Sequence, residues 1–179
     1  MRRKKWSLFL FCLGLSIVLF PHLAQHYFQW QQEREADAFI QEAKDLPQHY
    51  VNKQIEQIAA CNELIFQNEF TWKDPFFQAT NNYVYEKCSL VVPNATDAFA
   101  TIEIPKLHLL IPIYIGASEN ELSKGIGVVE GTSLPIGGKN THTVLAGHRG
   151  MGIKEMFRNL DQLTVDDVFY IHTVAGTLA

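Results

Sequence analysis

Residues 101–116 read "TIEIPKLHLLIPIYIG". Ile102 and Ile104 stand two apart, and Leu107, Leu109, Ile111, Ile113 and Ile115 continue the alternation. Period two with β-branched residues is the mark of strands that bury one face. Pro105 and Pro112 interrupt the run and mark an edge or a bend, because proline cannot donate to a ladder. This stretch sets a mainly β fold for everything that follows it.

Downstream, "SENELSKG" (118–125) predicts one short helical turn, and "GVVEGTSLPIGGKN" (127–140) a glycine-rich excursion. "THTVLAG" (141–147) predicts a strand. "KEMFRNLDQL" (154–163) has Met156, Phe157 and Leu160 at helical spacing and predicts a helix. "DDVFYIHT" (166–173) alternates again, then "VAG" turns into "TLA" at Ala179. A return strand of three residues would leave an exposed edge and a half-covered core. The expectation is therefore a truncated chain, or one that pairs with something else.

Upstream, residues 29–70 have a helical period. Ala36, Phe39, Ile40 and Ala43 recur among polar residues, Pro47 interrupts, and Val51, Ile55, Ile58, Ala59 and Leu64 resume. Two amphipathic helices that space the domain from a bilayer fit this pattern. Residues 71–97 mix aromatics with Pro, Asn and Asp without a period and read as a long surface segment held down by its aromatics.

The first five residues carry Arg2, Arg3, Lys4 and Lys5, and no acidic residue precedes Glu33. Trp6 to Ala24 is an uncharged stretch of 19 residues, about 28 Å as a helix at ~1.5 Å per residue, which just spans a bilayer core. The basic flank predicts an N-in orientation with the body on the extracellular face. No small-x-small cleavage site follows, so an uncleaved anchor is preferred to a cleaved signal. Without the four tail charges, 11 basic residues face 19 acidic ones, a balance that argues against a nucleic-acid partner. Cys61 and Cys88 lie in the outer portion, where a disulfide is permitted but not required. Neither belongs to a Cys-x-x-Cys pair or has a paired histidine, so no zinc site is expected.

"TVLAGHRG" (143–150) ends a short apolar run at Gly147 and places His148 at the mouth of a buried strand. A catalytic imidazole is often held this way, although a strand-end histidine bonded to backbone has the same local pattern. His142 stands six positions before His148, a spacing that matches no ordinary metal motif, and His108 and His172, on alternating strands, read as surface or barrel-lining residues.

The motifs "EIPK" (103–106), "GIGVVEGTSLPIGG" (125–138) and "GHRG" (147–150), followed by "MFRNLDQLTVDDVFYIHT" (156–173), together resemble the first half of a sortase catalytic domain. They are most similar to the class C, pilin-polymerising sortases of Gram-positive bacteria, and the resemblance covers about residues 50–179. It implies an incomplete sortase-type β-barrel over 98–179, preceded by a basic cytoplasmic tail (1–5), a membrane helix (6–24), a helical region (25–70) and a lid segment (71–97). It implies a catalytic histidine, here His148, and a lid with an Asp-Pro-aromatic motif, here Asp74, Pro75 and Phe76. In the family the lid aspartate faces a catalytic arginine and the aromatic covers a cysteine. No metal or other cofactor is implied.

The implied reaction is a transpeptidation. A thiolate cleaves the Thr–Gly bond of a Leu-Pro-x-Thr-Gly-type sorting signal, and a lysine amine of the next pilin takes the acyl group. The implied partners are sorting signals of pilins or surface proteins, with membrane lipid contacted through residues 6–24. The sequence departs from the family in one respect: it has no Thr-Leu-x-Thr-Cys motif and no following arginine strand. Cys12, Cys61 and Cys88 all precede the barrel. The expectation is a truncated sortase, inactive alone. The alternatives are a non-catalytic membrane-tethered binding module and one half of a split enzyme.

Overall fold

A computed structural model of the chain describes residues 2–67, 98–152 and 154–179. Helix α1 (Arg2–Asp45) runs 44 residues without a break through the basic tail, the apolar stretch and the first amphipathic segment. Pro21 lies inside it. The ring removes one backbone donor, and the surrounding apolar helix formers carry the helix past that position. Pro47 ends it, because the residue before a proline is biased away from helical dihedrals. The Pro47 carbonyl then accepts from the amides of Tyr50 (2.9 Å) and Val51 (3.1 Å) as helix α2 (Gln48–Gln67) begins. Val51, Ile58, Cys61, Asn62 and Ile65 form the buried stripe of α2, the spacing of one apolar helix face. Cys61 is held in a disulfide and Cys12 is free.

The β region forms one six-stranded mixed sheet with the order β4-β3-β2-β1-β5-β6. Its strands are β1 (Ala100–Ile104), β2 (Leu109–Ile115), β3 (Ile126–Val128), β4 (Leu145–Ala146), β5 (Tyr170–Thr173) and β6 (Gly176–Leu178). Strand β2 pairs parallel with β3, and every other pairing is antiparallel. Among the described residues the sheet does not close, so the barrel is open, with β4 and β6 at its edges. Pro105 opens a 3-10 turn between β1 and β2, and His108 closes it in a left-handed conformation. Pro112 sits one residue before the pairing of β2 with β3 begins.

In β1 and β2 residues of both parities are buried: Thr101 with Ile102, and Ile113 with Tyr114. Alternate residues point to opposite faces, so this central pair is covered on both sides. Helix α1 lies against β1, β2 and β5, and α2 contributes Ile58, Cys61 and Ile65 to the main core. That core also holds Ile111, Ile126, Val128 and Leu134.

Three expectations change. The glycine-rich excursion begins inside a strand, since Gly127 and Val128 belong to β3, paired between β2 and β4. "KEMFRNLDQL" is not a helix; it forms turns and a 3-10 turn at Leu160–Gln162. Met156 takes a positive φ of 46°, which an α-helix does not admit. The strand expected over "THTVLAG" contracts to Leu145–Ala146. The short helical turn is as read, at helix α3 (Glu119–Leu122).

Candidate functional site

The candidate site is assembled where β4 leaves the sheet. Strand β4 pairs with β3 through Gly127↔Ala146 and Val128↔Leu145, and Gly147 follows directly. A Cβ on Gly147 would stand 2.5 Å from Ile126 Cδ1 and 2.8 Å from Phe157 Cδ2. Only glycine lets the chain pass this close to the core, and that passage brings His148 to the sheet's end. The His148 carbonyl accepts from the Phe157 amide at 3.0 Å, which ties the histidine to the returning loop.

The loop is itself fixed. Met151 and Lys154 exchange backbone hydrogen bonds of 3.0 and 2.9 Å. The Arg158 guanidinium donates to the carbonyls of Gly152 (3.0 Å) and Lys154 (3.4 Å). Gly150, at φ +100°, leaves room for that guanidinium, whose Nε would lie 2.6 Å from an added Cβ. Arg158 is thus committed to holding the loop. Arg149 is exposed and stands 3.6 Å from Asp161.

The His148 ring is 30% exposed, yet its Nε2 is shielded from solvent and has no hydrogen-bond partner among the described residues. The nearest acidic atom is Glu119 Oε1, at 3.6 Å. That separation is too long for a hydrogen bond. Glu119 opens α3, whose cap is built by its neighbours: Ser118 Oγ accepts from the Asn120 amide at 3.3 Å and donates to the Glu121 carboxylate. Partial burial opposes the charge on Glu121, but the bonds from Ser118 and Asn120 outweigh it and hold its pKa below the usual value. The sequence predicts this turn, but nothing in it singles out Glu119, which meets His148 only once the chain folds.

Other histidines serve different ends. His172 Nε2 meets Glu103 Oε2 at 2.8 Å and its Nδ1 meets Thr177 Oγ1 at 3.0 Å, a polar tie across β1, β5 and β6. His142 is exposed and contributes backbone bonds to Ser133. Asp74, Pro75, Phe76 and Cys88 lie outside the described residues. The chemistry of the site rests on His148, a partly exposed imidazole whose Nε2 is unbonded among the described residues and lies beside a carboxylate. That is a group able to take and return a proton.

Comparison with known proteins agrees with the motifs. A family model described as the sortase domain matches residues 102–179. Among solved structures, sortase C1 of Streptococcus agalactiae, in complex with MTSET, is similar at 33% identity and a TM-score of 0.67. The match covers 79% of this chain and 69% of that one. Sortase C of Streptococcus pneumoniae matches at 31% identity and a TM-score of 0.67, with 79% and 69% covered. Sortase C of Clostridium perfringens, solved with the C-terminal cell wall sorting motif, matches at 32% identity and a TM-score of 0.62, with 79% and 70% covered. No curated protein matches. The glycine-framed His148, the open mixed sheet and these likenesses lead to one conclusion: the chain belongs to the sortase family, among the class C pilin sortases.

Proposed function

We propose that this chain carries the acid–base part of a class C sortase, a cysteine transpeptidase that cleaves a Leu-Pro-x-Thr-Gly-type sorting signal and joins the acyl group to a pilin lysine. The observation that carries the reading is His148, held by Gly147 at the end of β4 with Nε2 unbonded among the described residues. The sorting motif bound by the Clostridium relative supports the substrate class.

In the proposed reaction His148 takes the thiol proton, and the thiolate attacks the threonine carbonyl carbon. The C–N bond breaks as His148 returns the proton to the departing glycine amine. The lysine amine then attacks the thioester carbon, loses its proton to His148 and expels the sulfur as thiolate. The sequence has no Thr-Leu-x-Thr-Cys motif to supply that sulfur, so the 179-residue chain alone is expected to be inactive. Asp74, Pro75 and Phe76 are proposed as the lid over the site. The apolar stretch 6–24, within the helix long and apolar enough to cross a membrane, is proposed as an N-in anchor that leaves the body outside.

The test is a chimera in which residues 1–179 continue into the cysteine and arginine strands of the Streptococcus agalactiae relative. It is assayed for amide formation between a sorting-signal peptide and a lysine amine. Turnover is expected, and His148→Ala should lower kcat/KM by about 10²–10⁴, while His172→Ala lowers it far less. Turnover that survives His148→Ala would overturn the assignment.

A further inference from the structure

Helix α1 joins the proposed anchor to the folded domain with no intervening linker, and its first contacts come at once. Gln25, the residue after the apolar stretch, donates to Glu155 Oε1 at 2.6 Å. Three residues on, the Phe28 ring lies 5.4 Å from the Lys154 ammonium. Farther out, buried Gln32 donates to the Lys124 carbonyl (3.2 Å) and approaches the Met156 sulfur (3.4 Å). Glu155, Lys154 and Met156 are therefore ranked by height along the helix.

A 19-residue apolar stretch is about as long as a hydrocarbon core of ~30 Å is thick, so Gln25 stands at the core's edge. Gln25 and Phe28 are then ~1.5 and ~6 Å above that edge, inside a headgroup layer of roughly 5–7 Å. Two more observations agree. Tyr27, ~4.5 Å above the edge, is exposed on α1, where amphipathic rings favour the bilayer interface. Arg149, beside this loop, presents an exposed guanidinium 3.6 Å from Asp161, in a chain whose outer part is acidic.

We propose that Met151, Lys154 and Glu155 rest in the phospholipid headgroup layer of the outer leaflet, so that helix α1 holds His148 at membrane height. This rests on the anchor reading above. His148 is backbone-bonded to Phe157, two residues from Glu155, which places its Cα within roughly 13 Å of the Glu155 Cα. The site then works at the surface from which a membrane-held substrate emerges.

The test uses the full chain in phosphatidylglycerol–phosphatidylcholine vesicles with a nitroxide on a single cysteine, read by its accessibility to oxygen and to a water-soluble nickel chelate. Native Cys12, free and exposed, reports the span. With Cys12→Ser, Met151→Cys reports the loop, and Asp45→Cys reports a point ~30 Å farther along the helix. Arg149→Cys, at an exposed position, repeats the loop measurement should Met151→Cys misfold.

The labels at 151 and 149 are expected to be several-fold less accessible to nickel than the label at 45, with the label at 12 oxygen-accessible and nickel-shielded. Loop labels as nickel-accessible as the one at 45, with 12 still shielded, would overturn the proposal and leave the anchor standing. A nickel-accessible label at 12 would overturn both.

Discussion

Single atoms decide the geometry around His148, and Gly147 shows how. An added methyl would press on Ile126 and Phe157, and overpacking of this kind costs about 1–3 kcal/mol. Gly147→Ala should therefore lower the thermal midpoint and broaden the His148 ring resonances in an NMR spectrum. Asn62 is a second such residue. Its side chain donates to the Leu134 carbonyl (3.0 Å) and accepts from the Leu134 amide (2.7 Å), all in the buried interior. Asn62→Ala would strand both backbone groups, at about 1–3 kcal/mol for each one left unsatisfied, and denaturant titration should find the loss. Asp167 supplies the pH dependence. Its hydrogen bond from Lys106, with others from Thr164, lowers its pKa from 3.8 to about 2. A depressed carboxylate contributes stability that is complete above its unfolded pKa and lost as pH falls through the folded one. Stability should thus fall between about pH 4 and pH 2, and Asp167→Asn should flatten that part of the curve.

At the scale of elements, β1, β2 and β5 were legible, whereas β3, inside a glycine-rich stretch, and the turns at 154–163 were not. Alternation in 101–116 gave β1 and β2 because each strand buries apolar residues against a core, and Pro47 gave the α1–α2 break because proline restricts its neighbour. The mistaken helix at 154–163 had apolar residues at the right spacing. Tertiary contacts decided otherwise: buried Met156 is turned to φ 46° and approaches Gln32 of α1, a constraint no local window contains. His148 was legible from Gly-His-Arg-Gly, whereas Glu119 beside it was not, since the two meet only when α3 folds near the end of β4. The disulfide at Cys61 was left open by sequence, because compartment permits a bridge without requiring one. The stripe on α2 can be checked directly: Ile58, fully buried in the main core, should cost about 2–5 kcal/mol on replacement by alanine.

At the scale of the whole molecule, α1 is at once the proposed anchor and a structural part of the domain. Its outer half buries Ala36 and Gln32 and lies against β1, β2 and β5. A chain beginning at residue 25 should melt close to the full chain in detergent, whereas one beginning at residue 46 should lose on the order of 10 °C, a few kcal/mol for a domain of this size. Circular dichroism melts of the two would separate a domain that includes α1 from one that merely hangs on it.

His148 is proposed to drive acyl transfer through a cysteine thioester. The most direct measurement is intact-mass spectrometry of the chimera during a single turnover of a sorting-signal peptide without added amine. An adduct of the peptide's acyl portion that lysine amine discharges is expected, with its formation slowed in His148→Ala. An adduct that forms at the same rate without His148 would contradict it.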